Sequence, residues 1–195
     1  MKRLISASEI RNLVDSAART IFKVQGVLNA SMGRAPVVFV CLLRGGVYYF
    51  TDLTRALAKL TMTDIELEFL RPSSYTANGV AGEVKMDNWD DLKKFAGKHV
   101  WLVDEIIDSG ATMKELVSRL KSLPREERPV SVSVTSLLAR KSFVDDPLGF
   151  CELQSNGCNG MVCPMYVDND KWLVGYGMED EGKCRNLKDI WAKCD

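Results

Sequence analysis

The stretch Val100-Trp101-Leu102-Val103-Asp104-Glu105-Ile106-Ile107-Asp108-Ser109-Gly110-Ala111-Thr112 decides the fold class. An apolar run that reads as a buried strand ends in two adjacent carboxylates, passes two isoleucines, and turns through Asp-Ser-Gly-Ala-Thr into a helical pattern. That pattern sets Met113, Leu116, Val117 and Leu120 on one face and should stop near Leu123-Pro124, because proline cannot continue a helix. Strand, turn and helix in this order form the repeating unit of a parallel α/β sheet.

The turn admits two readings. In one, Asp108 or Ser109 caps the helix and the acids are solvated. In the other, successive backbone N–H groups and the helix N-terminus receive a phosphate, with hydroxyl help from Ser109 and Thr112. The first accounts for Ser109 and Gly110 but not for two acids at the end of a buried strand. Asp104 and Glu105 cannot share a phosphate, yet they can accept hydrogen bonds from a pair of sugar hydroxyls. Ribose 5-phosphate carries that layout.

Working outward, Val37-Val38-Phe39-Val40-Cys41-Leu42-Leu43 is continuously apolar, as a strand covered on both faces should be. Arg44-Gly45-Gly46 interrupts it, and a helical stretch follows to about Leu60. Ser6 and Glu9 fit a capping box that opens a helix through Ile10, Leu13, Ala17, Ile21 and Val24. Ile65 to Leu70 alternates like a strand, Val130 to Leu138 gives a further strand, and Lys171 to Tyr176 a fifth. Residues 71–88 carry Pro, Ser, Asn and Gly without a clear period, so a long loop is expected there. The turns at 43–46 and 104–112 both follow strands, where ligands bind in such sheets.

The totals exclude several classes. A chain of 195 residues, 46% hydrophobic and 27% charged, fits one soluble domain and not a disordered segment. A formal net charge of zero argues against non-specific nucleic-acid binding, which needs a basic surface. No apolar run approaches the roughly 20 residues of a membrane span, and the N-terminus lacks the apolar stretch of a secretory signal. A cytoplasmic location with reduced thiols is therefore expected. None of Cys41, Cys151, Cys158, Cys163, Cys184 and Cys194 forms a C-x-x-C pair, which leaves a structural zinc site little support. His99 is the only histidine, at a strand entrance, and reads as structural.

The segment from Val100 to Thr112 resembles the phosphoribosyl pyrophosphate (PRPP) binding motif of type I phosphoribosyltransferases. The likeness extends toward the 6-oxopurine, hypoxanthine-guanine, members. Leu43-Arg44-Gly45-Gly46 is similar to their pyrophosphate-binding loop, which implies a non-proline cis peptide between Leu43 and Arg44. Arg71 to Tyr75 resembles the start of their mobile lid, with Ser74 and Tyr75 as its Ser-Tyr pair. Lys171 to Glu179 resembles the segment that holds the purine, and Arg185 matches an arginine that contacts pyrophosphate. These blocks run from about residue 37 to 187 in the family's order.

What the resemblance implies is a parallel, Rossmann-like sheet flanked by helices, in a single domain over 1–195. Segments of about 1–30 and 145–195 would supply a small hood. Catalysis would join a base such as hypoxanthine or guanine to ribose 5-phosphate in purine salvage. Asp108 would act as general acid/base at purine N7, its protonated form favoured by a closed, dry pocket. Leu43, Arg44, Gly45, Asp104, Glu105, Asp108, Ser109, Gly110, Ala111, Thr112 and Arg185 would bind PRPP. Ile106 and Trp172 would stack on the base, Leu173 would offer backbone groups to its edge, and Glu179 would lie beside it. Glu179 aligns with an aspartate that holds Mg²⁺, with Asp104 and Glu105 as further candidate ligands.

Arg140 aligns with the family's lysine for the 6-oxo group, and Lys141 with the basic residue after it, so either is the candidate donor. The aspartate at 108 points to 6-oxopurines. A xanthine-preferring enzyme and a PRPP-sensing regulator of the same fold are the alternatives. The family forms dimers or tetramers, which implies a homo-oligomer.

Overall fold

The structure is a computed structural model in which residues 1–77, 80–86, 89–145, 152–168 and 171–193 are described. Its elements begin with strand β1 (Lys2–Ile5), helix α1 (Ala7–Met32), β2 (Val37–Leu42), α2 (Val47–Lys59) and β3 (Ile65–Leu70). Strands β4 (Ser73–Ala77) and β5 (Val80–Lys85) follow, then a 3-10 helix at Trp89–Phe95, β6 (His99–Ile107) and α3 (Ala111–Ser122). The chain continues through β7 (Ser131–Arg140), α4 (Lys141–Asp145), β8 (Gly160–Val162), β9 (Met165–Val167), β10 (Leu173–Val174) and β11 (Ile190–Ala192).

The main sheet is parallel in the order β3-β2-β6-β7-β8, with β9 also pairing β7 beyond β8. Successive side chains of a strand point to opposite faces, and β2 shows the consequence. Val37, Phe39 and Cys41 enter the core beneath α1 and α2, whereas Val38, Val40 and Leu42 enter the core beneath α3 and the 3-10 helix. Both faces being covered, β2 and β7 are buried along their whole length. Phe39 and Trp101 stack at 6.1 Å between ring centroids, and the Trp101 Nε1 donates to Gln25 Oε1 of α1 at 2.8 Å. Removing that indole should cost about 3–5 kcal/mol, the usual range for emptying a core aromatic site.

The capping box at Ser6 and Glu9 forms, with the Glu9 N–H donating to Ser6 Oγ and the Ser6 N–H to Glu9 Oε2. α1 then runs past the predicted Val24 to Met32. His99 is fully buried at the start of β6. Its Nδ1 lies 2.7 Å from Ser131 Oγ and its Nε2 2.9 Å from the Gly33 carbonyl, so it ties the end of α1 to two strands.

Two expectations are corrected. Residues 71–88 are not a plain loop: β4 and β5 pair antiparallel in their own two-stranded sheet, with Ser74 opposite Val84. The β-branched Thr76, Val80 and Val84 supply strand propensity that the flanking Pro and Gly obscured. The fifth strand is only Leu173–Val174, and it joins a second, antiparallel sheet in the order β1-β11-β10 rather than the main one. A three-stranded sheet needs only short segments, because the main sheet beside it supplies the core. Residues 2–5, 173–174 and 190–192 build this small sheet. α1 packs on the main sheet, to which β8 and β9 belong.

Candidate active site

The carboxyl ends of β2 and β6, the end of β7, and the turn after β10 converge on one cavity of about 380 Å³. Its walls carry Leu43, Arg44, Gly45, Asp104, Glu105, Ile106, Asp108, Thr112, Arg140, Trp172, Leu173, Glu179 and Arg185. Segments more than a hundred residues apart thus meet where the strand–turn pattern located a ligand. Leu42, Pro72 and Met178 also line the cavity and had not been singled out. Of the remaining expected residues, Ser109, Gly110 and Ala111 form the turn at its edge and are not part of the walls. Ser74 and Tyr75 lie on β4, and their side chains fall outside the described residues.

The turn into α3 differs from the capped-helix reading. Gly110 is the N-cap, at φ 77°, and no side chain caps the helix. Ser109 Oγ reaches the Ala111 N–H at only 3.4 Å. Apart from the Ala111 N–H, which donates to Ser109 Oγ, the amides of this turn and their dipole are available to an anion.

Asp104 and Glu105 lie within β6, which continues past them to Ile107 and remains paired with β7. Burial, then the neighbouring Glu105, pushes the Asp104 carboxyl well above its ordinary range, while Arg185 pulls it down. Asp104 Oδ1 accepts from the Glu105 N–H at 2.9 Å. Glu105 Oε2 is buried with no hydrogen-bond partner among the described residues. A buried polar atom in that state costs stability and marks a place prepared for a donor or a cation.

The loop after β2 contains the cis peptide Leu43–Arg44. A Cβ on Gly45 would stand 1.8 Å from Glu105 Oε1, and a Cβ on Gly177 would stand 2.0 Å from the Gly45 carbonyl oxygen. Only glycines let these three segments close on one another.

Arg140 is 8% exposed, and its guanidinium donates to Asp108 Oδ1, to the Asp168 carbonyl and to the Lys171 carbonyl. Lys141 instead donates to Asp168 Oδ1 at the surface and does not line the cavity. Asp108 was expected in a dry pocket, but its side chain is 77% exposed, because the cavity is open on that side. Trp172 is also exposed, its indole N–H fixed on the Glu179 carbonyl at 2.7 Å. The Glu179 carboxylate pairs with Arg185 at 2.8 Å, and Arg185 also donates to the Gly177 carbonyl.

Among the described residues no cluster of three or more His, Cys, Asp or Glu stands ready as a metal cage. Mg²⁺ in phosphate chemistry commonly uses one or two carboxylates plus phosphate oxygens. The hard oxygens of Asp104, Glu105 and Glu179, with the unpartnered Glu105 Oε2 among them, fit that mode.

Residues 6–146 match the model of the phosphoribosyl transferase domain family. The chain is 30% identical over 169 residues to the hypoxanthine-guanine phosphoribosyltransferases of dog and human, covering 82% of this chain and 68% of theirs. A Trypanosoma cruzi hypoxanthine phosphoribosyltransferase complexed with IMP has a similar fold, with a TM-score of 0.70 and 24% identity over 98% of this chain and 89% of that one. A Leishmania tarentolae HGPRT-ase in complex with GMP gives a TM-score of 0.68 at 19% identity, over 98% and 95% of the two chains.

Proposed function

Because the chain belongs to the phosphoribosyltransferase family, we propose that it transfers the 5-phosphoribosyl group of PRPP to N9 of a 6-oxopurine, hypoxanthine or guanine, releasing pyrophosphate. The observation that carries this reading is the meeting, in one cavity, of an acid pair, a helix N-terminal turn and an end bounded by Trp172, Ile106 and Arg140.

In this reading the turn 108–112 receives the 5-phosphate on its amides and on Thr112. Asp104 and Glu105 accept hydrogen bonds from the ribose hydroxyls. Arg185, Arg44 and the amides of 43–46 hold the departing diphosphate. Trp172 and Ile106 flank the base, Leu173 meets its edge, and Arg140 faces its 6-oxo group. Asp108 moves the proton at N7 as the C1–N9 bond forms and the C1–O bond to diphosphate breaks. Charge builds on ribose C1 in the transition state, so fixed dipoles and orientation supply most of the acceleration. Mg²⁺, held by Asp104, Glu105 or Glu179, would neutralise charge on the diphosphate. Ion pairing of Glu179 with Arg185 keeps both groups at the same end of the cavity until ligands arrive.

The β4–β5 arm, with Ser74 and Tyr75, would close over this cavity and exclude water. A cytoplasmic location and a homodimer or homotetramer are part of the same proposal. The test is an assay of PRPP with Mg²⁺ and, separately, hypoxanthine, guanine, xanthine and adenine. Turnover with hypoxanthine or guanine that EDTA abolishes is expected. Turnover confined to xanthine or adenine would overturn the base assignment, and undiminished turnover in EDTA would overturn the metal's part.

A further inference from the structure

The segment that brings Leu173, Met178 and Glu179 to the cavity turns through Gly175, Tyr176 and Gly177, with φ of 95°, 50° and 105°. Tyrosine takes a left-handed conformation only where its surroundings enforce it. Here the Tyr176 N–H donates to the Leu187 carbonyl at 2.8 Å, and its ring lies against Tyr48 at 6.1 Å. The Tyr176 hydroxyl donates to Asp52 Oδ2 at 2.7 Å. Burial, reinforced by Asp52, pushes that hydroxyl far above its ordinary range, so it remains a donor.

Tyr176 does not line the substrate cavity. It faces a second cavity of about 490 Å³ between α1, α2 and residues 186–188, which Tyr48 and Asp52 share. A tyrosine filling a gap could bond any acceptor. This acceptor sits on α2, and α2 is the direct continuation of the loop 43–46, with Gly46 as its N-cap. At the next residue, Gly177 packs on the carbonyl of Gly45. The base-side turn and the pyrophosphate loop with its helix are therefore joined by a main-chain contact, a side-chain hydrogen bond and the ring contact of Tyr176 with Tyr48.

We propose that Tyr176 is a positioning residue whose hydrogen bond to Asp52 couples the two halves of the substrate cavity, so that filling the base half tightens the pyrophosphate half. The inference rests on the reading of the cavity given under Proposed function. By linkage the coupling is reciprocal, and pyrophosphate tightens the base by the same factor. A displaced turn would move Met178, Glu179 and, through the Gly177 carbonyl, Arg185.

Hypoxanthine and inorganic pyrophosphate fill the two halves without reacting, because neither carries the ribose. The test measures, by calorimetry with magnesium present, the affinity for pyrophosphate with and without saturating hypoxanthine. The wild-type protein should show a tightening within the about 5- to 150-fold range common for coupled sites. Tyr176→Phe should bring that factor close to unity while each ligand alone binds much as before. Asp52→Ala should do the same, and Asp52→Asn, which keeps an acceptor oxygen, should preserve the coupling. Wild-type coupling in Tyr176→Phe, or equal loss in Asp52→Asn and Asp52→Ala, would overturn the proposal, and the Asp52 pair decides it if Tyr176→Phe does not fold. A wild-type protein that binds both ligands independently would overturn the coupling alone. One that binds neither would overturn the cavity's assignment, and the coupling with it.

Discussion

Arg140 Nε donates to Asp108 Oδ1 across 3.1 Å, and the other two nitrogens of the same guanidinium donate to the carbonyls of Asp168 and Lys171 at 2.6 and 3.0 Å. One planar cation ties the end of β7 to the turn after β6 and to the segment that leads into Trp172. A lysine, with its compact ammonium, has no fork to span those acceptors. The guanidinium carries more N–H groups than these bonds use, and under the proposed function one of them is the donor to the base.

Arg140→Ala should therefore weaken hypoxanthine and guanine specifically. Losing a hydrogen bond to a charged group costs about 1.5–3 kcal/mol, or roughly 10- to 150-fold in kcat/KM. PRPP affinity should change little, and adenine should gain relative to the 6-oxopurines. Lys141→Ala should be mild, because its partner Asp168 is exposed and exposed pairs contribute little. Steady-state kinetics with each base checks the ranking. The reverse order would assign the donor to Lys141.

Asp108→Asn should leave the fold intact, since the side chain is exposed, caps no helix, and asparagine still accepts from Arg140. Turnover should fall by about 10²- to 10⁴-fold, the usual span for a lost general acid/base. Near-normal turnover with an unchanged melting temperature would remove Asp108 from the chemistry.

Asp104 sets a pH dependence of stability. Burial and Glu105 hold its carboxyl well above the ordinary value of 3.8, so the folded protein keeps a proton that the unfolded chain releases. Stability from this group is then full below 3.8 and declines as pH rises from there through the raised folded value. Asp104→Asn should raise the melting temperature at about pH 7.5 and much less at about pH 4, while weakening PRPP. A gain independent of pH would show that Asp104 ionisation is not the source of the cost.

Gly45→Ala places a methyl where the Glu105 carboxylate now lies. The atoms it meets are the far end of a side chain that can swing away, so the melting temperature should fall by no more than about 2–4 °C, the shift that goes with roughly 1 kcal/mol in a chain of this size. PRPP affinity should fall as well, because Glu105 must move. Calorimetric melting and PRPP titration together test it, and an unchanged affinity would remove Glu105 from the sugar contacts.

The strand ends were legible because buried strands advertise themselves. The runs at 37–42 and 131–140 are buried along their whole length, as is β6 up to Val103, and the residues that follow on β6 and in the turns carry the acids, glycines and hydroxyls of the site. The pairing of β4 with β5 has a sequence signal too: Asn78-Gly79, a pair strongly favoured in two-residue hairpin connections, stands between the two strands in the sequence. A two-residue strand such as Leu173–Val174 has no period to detect. Nor could any local pattern announce that Arg140 meets carbonyls 28 and 31 residues later, or that Glu105 would be left without a partner. Those facts arise from long-range packing, where the resemblance supplied alignment but not geometry.

The contact of Gly177 with the Gly45 carbonyl has a consequence for how such a protein can change. Around it the end of the cavity proposed for the diphosphate is shaped by backbone closeness, with the side chains of Arg44 and Arg185 set upon it. The opposite end is built from the side chains of Ile106, Arg140 and Trp172. The cavity thus has an inherited socket and an interchangeable bit. A new base preference needs only a few exchanges at one end, whereas a new phosphoryl donor would require the chain itself to be re-threaded.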